Sequence, residues 1–321
     1  MKNPNVLKRH PVREFIRDQI GFFVGRVLIR FCPKLVNIFY DNLNYSLLKY
    51  LVGHSFFGKP VCSFNWNVTL KNRKKLNINV NHSDSYSLGY AFDYKIHDVG
   101  LKRLQEYFID RMHEKSIYID IGSNIGVSSI YALSCNRSCW LFEPNLTLRH
   151  FVENLFNKNN FSTARFFDVA LSNLTGKSDF FISRSSFLSS FDKGHAETEG
   201  ETIKIQVNLQ TLDSYVNEIS EIATDVVVKI DVEGHEMAVL QGAVELLKKF
   251  RPPVMLEVLR NNTSRSESFN FMRNLNYKCF GIINTDYLNL KHLASETDMI
   301  NFSDINFLFV SDSYKVTDFQ K

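Results

Sequence analysis

From residue 117 onward, short apolar runs alternate with segments of helical spacing, and this alternation most constrains the fold. Residues 117–121 (IYIDI) and 226–230 (VVVKI) are the clearest runs. Strands this apolar are typical of a sheet covered on both faces, so the pattern predicts a doubly wound α/β domain. The remaining predicted strands are 139–142, 164–167, 254–258, 277–283 and 306–310, and the predicted helices are 126–134, 146–157, 235–249 and 265–275.

The chain of 321 residues is long enough for an α/β domain with an accessory region. We predict a basic helical region at 1–59, a small β-rich segment at 60–104 and the α/β domain at 105–321. Within the last, residues 176–225 are too long for a simple crossover and contain two predicted strands, KSDFFIS and IKIQV. The Ser-rich loop between them, 183–194, either closes over a substrate or is an ordinary surface loop.

The charge of the chain is concentrated at one end. Residues 1–59 hold ten Lys and Arg against three Asp and Glu, which gives them a net charge of +7. The other 262 residues have a net charge of −3, so the whole chain has a net charge of +4. We therefore do not expect the α/β domain to bind nucleic acid, because nucleic-acid-binding domains present clustered positive charge. The five cysteines are scattered and contain no C-x-x-C pair, which favours a reducing, cytoplasmic compartment.

Residues 13–31 combine an apolar helical stripe with arginines. The stripe either lies on an anionic membrane surface or packs on the main domain. Charged residues interrupt the segment too often for a spanning helix, and no signal peptide is visible. We therefore expect at most peripheral membrane contact. The stripe consists of Ile16, Ile20, Phe23, Val27 and Phe31.

The turn after the first strand of the domain, residues 120–126 (DIGSNIG), carries the strongest functional signal. Gly122 and Gly126 let the backbone approach a ligand closely, and Asn124 lies between them. The spacing differs from the dinucleotide fingerprint G-x-G-x-x-G. An acid at the mouth, Asp120, disfavours a pyrophosphate and favours a ligand with an ammonium group, such as S-adenosylmethionine.

Two further acids end the next two predicted strands. Glu143 is placed to accept hydrogen bonds from both ribose hydroxyls, and Asp168 from the exocyclic amine of adenine. One such acid alone is more often a turn carboxylate or a helix cap. Three in register predict a nucleoside site.

Several ordered motifs resemble the FkbM family of S-adenosylmethionine-dependent methyltransferases. The resemblance covers about residues 105–285 and implies a class I methyltransferase sheet with methyl transfer to a hydroxyl of a sugar, a glycan or another small metabolite. Ser123 stands where such proteins commonly have Ala. The motifs are DIGSNIG at 120–126, FEP at 142–144, DVALS at 168–172, KIDVEGHE at 229–236, LQG at 240–242 and LE at 256–257.

The KIDVEGHE segment is predicted to face the acceptor. A hydroxyl acceptor needs in-line positioning and benefits from a general base. His235 is a reasonable base because imidazole titrates near neutrality, and Asp231 or Glu233 could orient it or act alone. The alternative for Glu233 and Glu236 is that they only favour the N-terminus of the following helix.

Three alternatives remain open at this point. Asp231, Glu233, Glu257 and His235 could ligate Mg²⁺, although the spacing has no metal signature, so we expect no metal requirement. The glycine spacing and Asp120 count against an NAD(P)-dependent oxidoreductase. A non-catalytic protein acting in assembly at a membrane would also keep the fold. The acceptor and the oligomeric state are not determined by the sequence.

Overall fold

A computed structural model describes residues 63–81, 98–183 and 188–312, with the side chains of 63–66, 79–81 and 199 left out. The predicted basic region 1–59, with its stripe at 13–31, lies outside the described residues, as do residues 82–97 of the predicted β-rich segment. The described residues belong to two units, which divide between His97 and Asp98. No helix of the described residues is long and apolar enough to cross a membrane.

The first unit contributes a β-hairpin. Strands β1 (Ser63–Thr69) and β2 (Lys75–Asn81) pair antiparallel, and both lie in the segment 60–104 that is predicted to be β-rich. A tight turn joins them, in which Arg73 is left-handed and its N–H donates to the Leu70 carbonyl. Across the pair, the Asn77 amide donates to Asn67 at 2.9 Å.

The second unit is built on an eight-stranded sheet, which confirms the predicted doubly wound fold. The strand order is β12-β11-β13-β10-β9-β3-β4-β5, and the five strands from β10 to β5 are parallel. Strand β13 runs antiparallel to both of its neighbours. The strands are β3 (Ser116–Ile121), β4 (Ser138–Phe142), β5 (Ala164–Phe167), β9 (Asp225–Ile230), β10 (Val254–Glu257), β11 (Tyr277–Ile282), β12 (Leu290–Leu293) and β13 (Asn306–Ser311).

The chain order creates a switch point between β3 and β9. From β3 the chain moves outward to β4 and β5, then crosses back to β9 on the other side of β3. Ligands of open α/β sheets bind at the carboxyl ends of the strands at such a point. The turn at 120–126 and the segment after Ile230 therefore lie side by side. The Asp231 N–H donates to the Ile121 carbonyl at 3.0 Å.

The helices of this unit alternate with the strands along the chain. Helix α1 (Val99–Ile109) spans the predicted boundary between residues 104 and 105. All six residues of β3 are buried, as expected for a strand covered on both faces. The other helices are α2 (Ile130–Ser134), α3 (Leu146–Lys158), α4 (Lys193–Ala196), α5 (Val216–Ile222), α6 (Glu236–Gln241), α7 (Val244–Phe250), α8 (Asn262–Asn274) and α9 (Glu296–Ile300).

The single helix predicted at 235–249 is wrong, because the structure has two helices there, α6 and α7. At the break, Gly242 lies against residue Ser172, where an added Cβ would come within 2.0 Å of the carbonyl oxygen. The Gly242 carbonyl accepts from the Asp213 N–H instead of continuing a helix. The Asp213 carboxylate then caps α7 by accepting from the N–H groups of Glu245 and Leu246.

The insertion between β5 and β9 forms a small sheet of its own. Strands β6 (Ala170–Leu171), β7 (Gly176–Ile182) and β8 (Ile203–Gln210) have the order β6-β8-β7. Both strands predicted in this insertion are thereby confirmed. Helix α4 lies between β7 and β8 in the chain, which places its side chains beside this sheet.

Candidate active site

The turn after β3 is held close to the end of β9. Gly122 is left-handed (φ 72°), and a Cβ there would lie 1.8 Å from the Asp231 carbonyl oxygen. Gly126 is also left-handed (φ 78°), with its Cα facing the Phe156 ring. Asn124, at φ 47°, completes the turn. Only glycine tolerates both the conformation and the approach at position 122.

Asp120 lies beneath this turn, so the expectation that it stands open at the mouth of the site is wrong. Its side chain is 0% exposed, and it accepts from the Ser129 hydroxyl at 2.7 Å. Its other carboxylate oxygen lies 3.7 Å from the Lys229 ammonium. Burial raises the pKa of Asp120, while Lys229 and Ser129 act in the opposite direction. The positive group that faces Asp120 is therefore a lysine of the protein itself.

Lys229 connects the two strand ends. Its ammonium donates to Asp231 at 3.0 Å while it lies near Asp120, and its side chain is only 6% exposed. Desolvation lowers the pKa of Lys229, but the charges of Asp231 and Asp120 outweigh it and raise the pKa above its ordinary value. A buried ammonium between two carboxylates fixes the relative position of β3 and β9.

Glu143 lies directly after β4 and binds the glycine-rich turn. One carboxylate oxygen accepts from the Asn124 N–H and the other from the Asn145 N–H, both at 2.9 Å. Burial raises the pKa of Glu143 to about 7, although both backbone donors oppose it. The residue is partly exposed, so each oxygen can accept a further hydrogen bond from a ligand.

Asp168 follows β5 and stands at the surface. Its side chain is 42% exposed and forms an ion pair with Arg149, which also pairs with Glu153 at 2.7 Å. The position at the end of the third parallel strand agrees with the sequence prediction. The arginine is an additional group at this edge that the sequence analysis did not single out.

The segment after β9 turns sharply. Glu233 (φ 50°) and Gly234 (φ 100°) are both left-handed, and the Glu233 carbonyl accepts from the Ser190 hydroxyl at 2.7 Å. The Glu233 carboxylate lies 3.0 Å from Nε2 of His195, a residue of α4. Glu233 is therefore paired with a histidine of the insertion and not with His235.

His235 has other neighbours than those expected. Its Nε2 lies 3.0 Å from the Ser172 hydroxyl, and its ring packs against Phe191 with 4.4 Å between centroids. Burial lowers the pKa of His235, so the ring is neutral at neutral pH. Asp231 and Glu233, predicted to orient this ring, bind Lys229 and His195 instead. Glu236 is the first residue of α6, and its carboxylate accepts from the Gly234 N–H at 2.7 Å. This position at the N-terminus of the helix is the one that the alternative interpretation of Glu236 requires.

Three carboxylates converge beside the turn. One oxygen from each of Asp231, Glu233 and Glu257 lies within 4.8 Å of the others. Burial and the charge of Asp231 hold the pKa of Glu257 well above its usual value, so this carboxyl group is protonated at neutral pH. Asp231 is paired with Lys229 and Glu233 with His195. Glu257 is thus a neutral carboxyl group, Asp231 is paired with a cation, and Glu233 is hydrogen-bonded to an imidazole.

Sequence reasoning missed the partners that come from the insertion. His195 and Ser190 contact Glu233, and Ser172 contacts His235. No spacing in the sequence links residues 172–195 to residues 233–235. The only signal in the sequence was the Ser-rich loop between the two predicted strands of the insertion, which did not specify a partner.

The order of the large sheet, with antiparallel β13 between β10 and β11, is that of a class I methyltransferase, a Rossmann-like fold. The family model described as the methyltransferase FkbM domain matches residues 120–279. This segment begins at Asp120 and includes Glu143, Asp168 and the residues after β9. The segment that the family model matches is thus an FkbM methyltransferase domain.

Two of the similar solved structures are named as methyltransferases. An FkbM methyltransferase from Methylobacillus flagellatus KT is 14% identical, with 70% of this chain and 55% of that chain covered and a TM-score of 0.40. An S-adenosylmethionine-dependent methyltransferase from Agrobacterium tumefaciens is 8% identical, with coverages of 79% and 72% and a TM-score of 0.40. This chain thus spans about half the length of the first. Comparison with curated proteins finds no match.

Proposed function

We propose that the protein transfers the methyl group of S-adenosylmethionine to a hydroxyl group of a sugar, a glycan or another small metabolite. Bound S-adenosylmethionine supplies an electrophilic methyl group on a sulfonium. The protein would have to hold the nucleoside part of this donor at the end of β3 and β4. It would also have to hold the acceptor hydroxyl beside the segment after β9.

The observation that carries the proposal is the position of Glu143. The carboxylate of this partly exposed residue is fixed next to the turn 120–126 by two backbone N–H donors. A carboxylate held there suits the two hydroxyls of a ribose. Asp168, exposed at the end of the neighbouring strand, suits the amine of an adenine. Gly122, Asn124 and Gly126 shape the backbone between them.

The acceptor side is proposed at Asp231, Glu233 and His235. These residues follow β9, next to the turn across the switch point. The insertion adds a cavity of about 450 Å³ beside α4, lined by one aromatic ring and by charged and polar groups. An aromatic face with surrounding polar groups suits a carbohydrate. The lining residues are Phe181, Lys193, Glu197, Glu201, Thr202 and Lys204.

The choice of a small acceptor follows from charge. Residues 60–321 carry a net charge of −3, which does not favour a nucleic-acid partner. Residues 13–31, outside the described part of the chain, would supply any peripheral membrane contact. We propose a cytoplasmic enzyme without a metal requirement, which is tested by activity in excess EDTA.

Calorimetric binding of S-adenosylmethionine and of NAD⁺ at pH 8 tests the proposed donor. We expect S-adenosylmethionine to bind and NAD⁺ not to bind. Glu143→Gln should weaken binding by about 10- to 100-fold, because a hydrogen bond to a charged group contributes about 1.5–3 kcal/mol. Preferential binding of NAD⁺ would contradict the proposal.

Glu114→Gln is the matched control for this experiment, because Glu114 is exposed and lies before β3, outside the proposed site. It should bind S-adenosylmethionine as the wild type does. Equal weakening in both variants would mean that Glu143 has no specific role in binding.

A further inference from the structure

His195 and Glu233 form a pair at the proposed acceptor side. The distance from Nε2 to the carboxylate is 3.0 Å, and the two side chains are 22% and 18% exposed. A carboxylate can only accept at this contact, so Nε2 carries the proton when the ring is neutral. Among the described residues, no hydrogen-bond partner approaches Nδ1 of His195. The nitrogen that can take up a proton is thus the one that is not engaged.

Both members of the pair are held by backbone contacts. The Asp192 carboxylate accepts from the N–H groups of Gly194 and His195 at 2.8 and 3.3 Å, which fixes the start of α4. The Ser190 hydroxyl donates to the Glu233 carbonyl and accepts from the Asp192 N–H at 3.0 Å. Ser190 thus connects the insertion to the segment after β9. The left-handed backbone at Glu233 is a costly conformation that these contacts maintain.

The surrounding charges distinguish Glu233 from its neighbours. Glu257 is protonated through burial, and Asp231 shares the buried ammonium of Lys229. Among these three carboxylates, only Glu233 has a partner that can gain a positive charge during a reaction, namely His195. On the His195 side, α4 itself carries Lys193, which pairs with Glu197 at 3.4 Å. Protonation of His195 would therefore be stabilised chiefly by Glu233.

We infer that His195 is the proton acceptor of the methyl transfer and that Glu233 is its positioning residue; this inference rests on the proposed function. As the acceptor oxygen bonds to the methyl carbon, the carbon–sulfur bond breaks and its electron pair stays on sulfur. The hydroxyl proton moves to Nδ1, and His195 becomes an imidazolium beside the Glu233 carboxylate. The products are the methyl ether and S-adenosylhomocysteine, and the proton then leaves to solvent.

His235 is less suited to this role. Its Nε2 is engaged with the Ser172 hydroxyl, and its ring lies against Phe191. None of its described contacts is with a carboxylate that would stabilise an imidazolium. The neutral ring of His235 can instead bind the acceptor or shape its pocket.

The first test measures the tautomer of His195 in the full-length protein, by NMR of ¹⁵N-labelled histidine without any ligand. We expect the ring to be protonated at Nε2 almost completely. Glu233→Gly removes the carboxylate and suits the left-handed backbone, so this variant should show a mixture of tautomers. His113, exposed and distant in sequence from the pair, is the control ring and should not change. A ring protonated at Nδ1, or an unchanged tautomer in the variant, would overturn the inference.

The second test measures transfer of a tritiated methyl group from S-adenosylmethionine to a set of methyl glycosides of hexoses and deoxyhexoses. His195→Asn should lower kcat by about 10²–10⁴-fold while calorimetric binding of S-adenosylmethionine stays unchanged. His113→Asn should keep the wild-type kcat. Wild-type kcat in His195→Asn would refute the role of His195. If the wild type binds S-adenosylmethionine but labels none of the glycosides, the tautomer measurement alone decides whether the inference about His195 stands. If the wild type does not bind S-adenosylmethionine, the proposed function itself is wrong.

Discussion

At the residue scale, the site depends on one glycine that nothing else can replace. Gly122 combines a left-handed backbone with an approach of 1.8 Å between an added Cβ and the Asp231 carbonyl oxygen. The clash involves backbone atoms, so relieving it would separate the turn from the segment after β9. The two halves of the proposed site are thus joined at this residue.

Gly122→Ala should therefore destabilise the protein by more than about 3 kcal/mol, beyond the roughly 1–2 kcal/mol of a left-handed alanine alone. Urea unfolding at pH 7 measures the loss. Gly200→Ala is the matched control, because Gly200 also has a positive φ (125°) but nothing lies within 4 Å of an added Cβ. Similar losses in the two variants would show that the close approach contributes nothing.

The acidic residues at the strand ends show how much of the candidate site could be predicted from the sequence. Glu143 and Asp168 lie where the pattern predicted, because a strand end is fixed by where the apolar run stops. Asp120 is the exception. The sequence gives no sign that Lys229, more than a hundred residues later, lies beside it, since this contact depends on the pairing of β3 with β9.

At the element scale, the predicted strands of the large sheet agree with the structure to within one residue at each end, but β12 is not among them, and the helix predicted after β9 is wrong. Apolar spacing continues through residues 235–249, so periodicity alone favours one helix. The break into α6 and α7 comes from Gly242 meeting Ser172 and from Asp213 capping α7. Both are long-range contacts. The residues Thr211-Leu212-Asp213 are a local capping signal in the sequence, but Asp213 caps a helix that starts about thirty residues later.

Asp213→Ala should destabilise the protein by about 1–2 kcal/mol, since it removes the cap of two N–H groups at the start of α7. Asp213→Asn keeps an acceptor oxygen and should restore most of this loss. Glu245→Ala, an exposed position in the same helical turn, serves as the control in thermal unfolding. If Asp213→Asn is as unstable as Asp213→Ala, the cap is not the reason.

At the scale of the whole molecule, function is assembled from segments far apart in the chain. The large sheet could be predicted except for its edge strand β12, because the other strands each carry their own apolar signal. The pairing of His195 with Glu233 could not be, because the small sheet of β6, β7 and β8 sets the position of α4. The insertion between β5 and β9 therefore supplies residues that the motifs at the strand ends do not predict. We expect the choice of methyl acceptor to depend on this insertion.

The buried acids give the molecule as a whole a pH dependence of stability. Burial raises the pKa of Glu236 to about 7, and it raises those of Glu143 and Glu257 as well. In the unfolded chain these groups release their protons near pH 4.5, so between about pH 4.5 and 7 only the native state keeps them. For Glu236 and Glu143 the stabilisation is complete below that range and is lost as the pH rises through it, amounting to about 3 kcal/mol for Glu236. For Glu257, whose pKa is raised to about 10, the loss occurs at higher pH.

We therefore expect the urea concentration at the unfolding midpoint to decrease as the pH is raised from 5 to 8. Glu236→Gln mimics the protonated side chain and can still accept from the Gly234 N–H. It should match the wild type at pH 5 and exceed it at pH 8, whereas exposed Glu114→Gln should follow the wild type at both. A variant that is less stable than the wild type at pH 8 would mean that Glu236 is ionised in the native state. In that case its charge stabilises the N-terminus of α6, and burial is the weaker of the two effects.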